Sequence, residues 1–140
     1  MSKDWVQDIS DMHTKFGVNQ KVTEFDRYKL HQFLEFRLRF LQEEMSELET
    51  AFKTKDAEEI VDSIIDLCVV AIGTLDAFQI DAYKAWDNVH NANMLKNVGV
   101  KESRPNPLGL PDLIKPPGWE NPTHENNHGL LKLTFVEDAE

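Results

Sequence analysis

The sequence predicts an all-α fold: an antiparallel bundle of four to five helices followed by an irregular, Pro-rich C-terminal tail. Three observations predict it. Every proline lies between Pro105 and Pro122, so the first hundred residues contain no proline to break a helix. Apolar residues in that stretch recur with the helical period. The breaks between periodic segments are a few residues long, and short links make neighbouring helices antiparallel.

The first helix runs from about Asp4 to Lys15 and stops before Gly17. The second, unusually long, begins near Thr23, where Thr23 and Asp26 have the N-cap and N3 spacing of a capping box, and reaches about Phe52. A third begins at Asp56, with Glu59 three residues on, and continues to about Phe78. The fourth starts near Asp81 and ends before Gly99, a favoured residue just past a helix end. Residues 1–100 thus read as one helical domain, with 101–140 an irregular extension packed on it. In that extension Arg104-Pro105-Asn106-Pro107 and Lys115-Pro116-Pro117-Gly118-Trp119 are irregular. Leu130 to Val136 reads as a short strand or a docking segment.

A chain of 140 residues suits a single domain of ordinary size. Its formal charge of −10 argues against nucleic acid as a partner, which would need a basic footprint. No apolar run approaches the ~18 residues of a membrane span, so a membrane is not an expected partner either. Met1 to Asp11 lacks the pattern of a signal peptide, and the expected location is the cytoplasm. One cysteine, Cys68, lies in the apolar run Leu67-Cys68-Val69-Val70 and reads as a small core residue.

The acids carry the chemistry. On a helical wheel of about 100° per residue, Leu41, Met45, Leu48 and Phe52 define the expected buried stripe of the long helix. Glu44 lies about 60° to one side, among Phe33, Phe40 and Leu48, with Glu47 farther round the same flank, and Arg37 shares that flank. Glu43 faces solvent. On the next helix Glu59, Asp62 and Asp66 share one narrow face, continued by Val69, Val70 and Gly73. The run Ile64–Ile72 is apolar apart from Asp66, so this segment is expected to be buried all round. A lone buried carboxylate costs several kcal/mol unless it is neutralised, paired or metal-bound. Magnesium takes oxygen ligands only and favours sites shared between carboxylates and phosphates, which two acid pairs on adjacent antiparallel helices can supply. Acid pairs at this spacing also occur on plain solvated helices, and Asp66 can alternatively serve as partner to Arg37 or Lys96.

The string Glu43-Glu44-Met45-Ser46-Glu47-Leu48 resembles the EExxEL motif of the MazG-like all-α nucleoside triphosphate pyrophosphohydrolases. Glu59 to Leu67 resembles their second acidic motif, and Val89 to Lys96 is similar to their Asn-x-x-Lys segment. That family includes the phosphoribosyl-ATP pyrophosphohydrolases and dimeric dUTP- and dCTP-hydrolysing relatives; Lys115 to Trp119 resembles a KPxGW tail of phage-type members. The resemblance implies a magnesium-dependent enzyme, with manganese as a substitute ion, that hydrolyses a nucleoside triphosphate to monophosphate and pyrophosphate. It also implies a homodimer or homotetramer. Glu44 and Glu47 would be ligands from the first motif. The second motif fits Glu59 with Asp62 or Asp62 with Asp66; Asp62 and Asp66 are preferred, with Glu59 behind them or on a further ion. Glu44, Glu47 and Lys96 would act in catalysis. Asn93, Lys96, Arg37, His90 and Lys115 would contact substrate.

Two rival readings stand beside this one. One is a phosphoribosyl-ATP pyrophosphohydrolase. The other is a non-catalytic helical binding or oligomerisation module whose acids are salt-bridged to Arg37, Arg39 and Lys96. His13 and His31 read as structural histidines. His124 and His128 lack further ligands for zinc nearby. Trp86 and Phe78 read as core or subunit interface. No Gly-rich phosphate loop is present, so metal and basic side chains would have to hold phosphates.

Overall fold

A computed structural model of the chain describes residues 1, 3–101 and 108–135. Among them are six helices and one two-stranded sheet: α1 (Trp5–Lys15), α2 (Val18–Val22), α3 (Arg27–Lys53), α4 (Ala57–Ala77), α5 (Ala82–Met94), β1 (Asn97–Gly99), β2 (Asp112–Ile114) and α6 (Leu131–Thr134). The fold is all-α, as the absence of early proline predicts. Residues 104–107 and Val136 lie outside the described residues. No described helix is long and apolar enough to cross a membrane.

Aspartates start three of the helices. Asp4 accepts from the Gln7 N–H at 2.9 Å, Asp26 from the Lys29 N–H at 2.9 Å, and Asp56 from the Glu59 N–H at 3.1 Å. Each satisfies a donor that the first turn leaves unpaired. The capping-box reading at Thr23 is corrected. Thr23 closes α2, its hydroxyl bonding to the Gln20 carbonyl at 2.7 Å, and Asp26 is itself the cap of α3. The fourth helix also stops early, at Met94, and Gly99 lies in β1 rather than past a helix end.

The chain divides into two units, 1–82 with 126–140, and 83–125. In the first, α3 and α4 are antiparallel. Arg37 bonds to Val70 and Thr74, Glu44 meets Asp66, and the Asp56 N–H donates to the Ala51 carbonyl, so partners run in opposite directions. The core lies where α2, the start of α3 and the end of α4 meet α6. Val22, Leu30, Ala77 and Phe78 are buried there, with Phe25, Phe33, Leu130 and Leu131 packed round them. Phe33 stacks on Phe78 with centroids 5.6 Å apart. The Asn127 amide grips both backbone groups of Asp81, and the Leu130 N–H donates to the Phe78 carbonyl at 2.7 Å. The last segment therefore docks, as a one-turn helix and not as a strand.

Two burial expectations are corrected. On α3, Leu30, Glu44 and Ala51 are buried, and Arg37 is half-buried together with Leu41 and Leu48 of the expected stripe. Met45 and Phe52 of the expected stripe are exposed, Phe52 at 74%. On α4 the apolar run is covered on one side only, and Val61, Ile64 and Ile65 are exposed. The reason is geometric: α4 packs against α1, α2 and α3, yet its apolar residues spread round more of the helix than those neighbours cover. Phe78 is core, whereas Trp86 is exposed. Cys68 is half-buried.

In the second unit α5 leads into a hairpin-like pair. β1 and β2 are antiparallel, with Asn97 opposite Ile114, Val98 opposite Leu113 and Gly99 opposite Asp112. Trp119 is fixed by its ring N–H, which donates to the Ala92 carbonyl at 2.7 Å.

Candidate active site

The buried side of α3 places a carboxylate where an apolar residue would ordinarily sit. Glu44 is 8% exposed, and its Oε2 is buried without a hydrogen-bond donor. Burial raises its pKa first, followed by the charges of Glu47 and Asp66, a hydrogen bond with Glu47, and Glu43. Asp66, half-buried on α4, is raised by burial, then by Asp62 and Glu47, and by a hydrogen bond with Asp62. Glu47 and Asp62 are exposed at the rim. The structure thus brings Glu44, Glu47, Asp62 and Asp66 within electrostatic reach of one another.

No described cation neutralises them. Arg37 donates from Nε to the Thr74 hydroxyl at 2.9 Å and from Nη2 to the Val70 carbonyl at 2.8 Å. Its guanidinium lies over Phe33 and Phe40, and burial lowers its pKa. Arg39 pairs with Glu35 at 3.9 Å. Lys96 sits 5.3 Å from the Trp119 ring. Among the described residues Arg37 and Arg39 thus spend their donors on groups other than these acids.

Both acid shifts are upward, so the folded protein retains protons that the unfolded chain has released. The resulting stabilisation is full below the ordinary carboxylate range and is lost as pH rises through the raised values. Metal-free protein is expected to lose stability over that window, and Asp66→Asn is expected to flatten the loss. Melting in chelator at stepped pH checks this; identical profiles for the two proteins would contradict it.

Each remaining candidate lies within one of the two units. Glu59 caps no partner acid; its Oε1 accepts from the buried Ser63 hydroxyl at 3.5 Å. His90 and Asn93 are exposed on α5. Lys115, like Lys96, stands beside Trp119, 5.0 Å from its ring. His31 makes an exposed contact with Glu35 at 3.4 Å. His13, 4% exposed, bonds through Nδ1 to Asp76 Oδ2 at 2.8 Å, and the Asn19 amide donates to that same oxygen at 3.0 Å.

Gly73 was the visible sign of this second polar cluster. A Cβ there would come 2.6 Å from Arg37 Nη2 and 3.3 Å from the His13 ring, so only glycine lets both tips approach α4. Asp76 and Asn19 gave no comparable signal, because their link spans 57 residues.

The model of the phosphoribosyl-ATP pyrophosphohydrolase family matches residues 9–93, more than half of the chain. The chain belongs to that family. The family lies within the MazG-like all-α nucleoside triphosphate pyrophosphohydrolase superfamily, a group of hydrolases acting on phosphoric anhydrides. No curated protein matches the chain, and no solved structure does. The matched span contains all four clustered acids and excludes Lys96, Lys115 and Trp119.

A divalent metal is the group the family implies, and the donor set suits it. All four side chains offer oxygen only, and Glu44 Oε2 is a buried acceptor awaiting a partner. Among the described residues no three such groups stand as a closed ligand set. The acids meet through pairwise contacts.

Proposed function

We propose that the protein is a magnesium-dependent pyrophosphohydrolase converting a nucleoside triphosphate to its monophosphate and pyrophosphate. The observation that carries this reading is the cluster of four carboxylates, one of them buried, with no cation among the described residues to balance them. Such a cluster is unfavourable alone and suited to a divalent ion shared with phosphates.

Glu44, Glu47, Asp62 and Asp66 are the proposed holders of the metal. When bound, magnesium would neutralise phosphate charge and make a water more acidic. Glu47, exposed at the rim of the cluster, is placed to orient the attacking water and accept its proton. The water oxygen bonds to the α-phosphorus, the bond from that phosphorus to the bridging oxygen breaks, and pyrophosphate leaves with the electron pair. Glu44, buried and raised in pKa, holds its place through its pairing with Glu47. Phosphoribosyl-ATP is the second candidate substrate, favoured by the family whose model matches. An assay of common ribo- and deoxynucleoside triphosphates together with phosphoribosyl-ATP, scored for pyrophosphate with and without magnesium, tests the reading. Magnesium-dependent pyrophosphate from at least one is expected; none from any would overturn it.

We also propose that the protein works as a homodimer or homotetramer, because Met45, Phe52, Val61, Ile64 and Ile65 form apolar surface that one copy leaves exposed. Light scattering at micromolar concentration should give a multiple of the 16.2 kDa chain mass. A single monomeric mass would contradict it.

A further inference from the structure

The second unit holds a cavity of about 560 Å³ lined by residues of that unit alone. One wall is the face of α5 bearing Asn88 and Asn91, with Leu95 in the turn just past its end; the other is the segment 116–123. That segment is preformed. Pro117 and Gly118 occupy the centre of a tight turn, with Gly118 at φ +80° and the Trp119 N–H donating to the Pro116 carbonyl at 3.0 Å. The indole is then pinned to the Ala92 carbonyl, and the Asn88 amide ties the far end to the Thr123 carbonyl at 2.9 Å. Two anchors to one helix hold the walls apart at a spacing of ligand size.

The unspent groups define the ligand. Asn91 and Asn121 line the cavity as exposed side chains, and neither amide bonds to another described residue. Each offers a donor and an acceptor side by side, the pattern that pairs with the edge of a nucleobase. Trp119 and Leu95 supply the apolar surface that a flat heteroaromatic ring needs. Lys96 and Lys115 place ammonium groups 5.3 and 5.0 Å from that indole, where an attached phosphate would be welcome. The stretch 83–125 has five basic and five acidic residues, so the chain's net charge of −10 arises outside it. An anionic ligand meets less repulsion here than over the first unit.

We propose that this cavity is a nucleobase site, in which Asn91 and Asn121 read the base edge and Trp119 packs against the ring. It rests on the reading of the protein's ligand as a nucleotide and adds a place within the second unit where a base is read. The test uses Trp119 fluorescence in the full chain carrying Trp5→Phe and Trp86→Phe, which leaves one indole. Nucleoside 5′-monophosphates of the common bases are titrated in, with ribose 5-phosphate as the baseless control.

Saturable, base-dependent quenching is expected, with no response to ribose 5-phosphate. Asn91→Ala and Asn121→Ala should each weaken it about tenfold, as expected for a lost hydrogen bond. Asn121→Asp, which replaces a donor by an acceptor, should change the ranking of bases, an effect that a merely structural residue would not have. Equal responses to ribose 5-phosphate and nucleotides, or an unchanged ranking in Asn121→Asp, would overturn the site. Base-dependent binding in a protein that releases pyrophosphate from no substrate would sink the proposed reaction and leave this site standing. Turnover without base-dependent quenching would do the reverse.

Discussion

Asp66→Asn and Glu47→Gln are each expected to reduce turnover by about two orders of magnitude or more, while the metal-free protein becomes no less stable. The first effect follows from losing a carboxylate proposed to hold the metal and, at Glu47, also to take the proton of water, on the order of 3 kcal/mol in barrier by analogy with an oxyanion donor. The second follows from the electrostatics. Asp66 is raised in pKa by burial and by its neighbours Asp62 and Glu47, so an amide of the same shape removes repulsion from the folded state. Activity and stability should therefore move apart, and a misfolded variant would not produce that pattern. Near-native turnover in either variant would remove that residue from the proposed site. Steady-state release of pyrophosphate and thermal melting in chelator read the two effects separately.

Gly129→Ala is the change expected to cost most in stability. Gly129 sits at φ +51°, and a Cβ there would lie 2.0 Å from the Phe78 carbonyl oxygen and 2.9 Å from that of Gln79. Both obstacles are backbone, and the Leu130 N–H is already drawn onto the Phe78 carbonyl, so neither side can yield without undocking α6. Leu130 and Leu131 would then leave the core around Phe78 and Leu30. A loss of about 3 kcal/mol, or roughly 10 °C in Tm, is expected from strain and lost packing together. Gly17 supplies the control. It has φ +73° but nothing within 4 Å of a Cβ, so Gly17→Ala should lose only about 1 kcal/mol from its left-handed backbone. Equal effects at the two positions would show that the Phe78 contact is not what matters.

These two sites differ in how far the sequence discloses them. Asp66 stands alone in an apolar helical run, and Glu44 stands among phenylalanines; both are local anomalies that a helical wheel exposes. Asp4 and Asp56 are legible for the same reason, since a cap acts on the next turn. Thr23 misleads because two capping residues lie three apart, and the choice between them is made by α2, which packs before α3 begins. The buried side of α3 misleads differently. The wheel sets Leu41, Met45, Leu48 and Phe52 in one stripe, whereas packing half-buries only Leu41 and Leu48 of these and buries Leu30, Glu44 and Ala51 beside them. Gly129 is illegible, because its constraint comes from a carbonyl 51 residues away at Phe78. The pairing of His13 with Asp76 spans 63 residues and leaves no trace in the sequence beyond Gly73, whose missing Cβ makes room for the His13 ring.

The position of water attack tests the central claim most directly. Hydrolysis of the best triphosphate substrate in oxygen-18 water, with both products analysed by mass spectrometry, distinguishes the three phosphorus atoms. Attack at the α-phosphorus predicts label in the nucleoside monophosphate and none in the pyrophosphate. Label in the pyrophosphate, or release of single phosphate with a nucleoside diphosphate, would contradict the account.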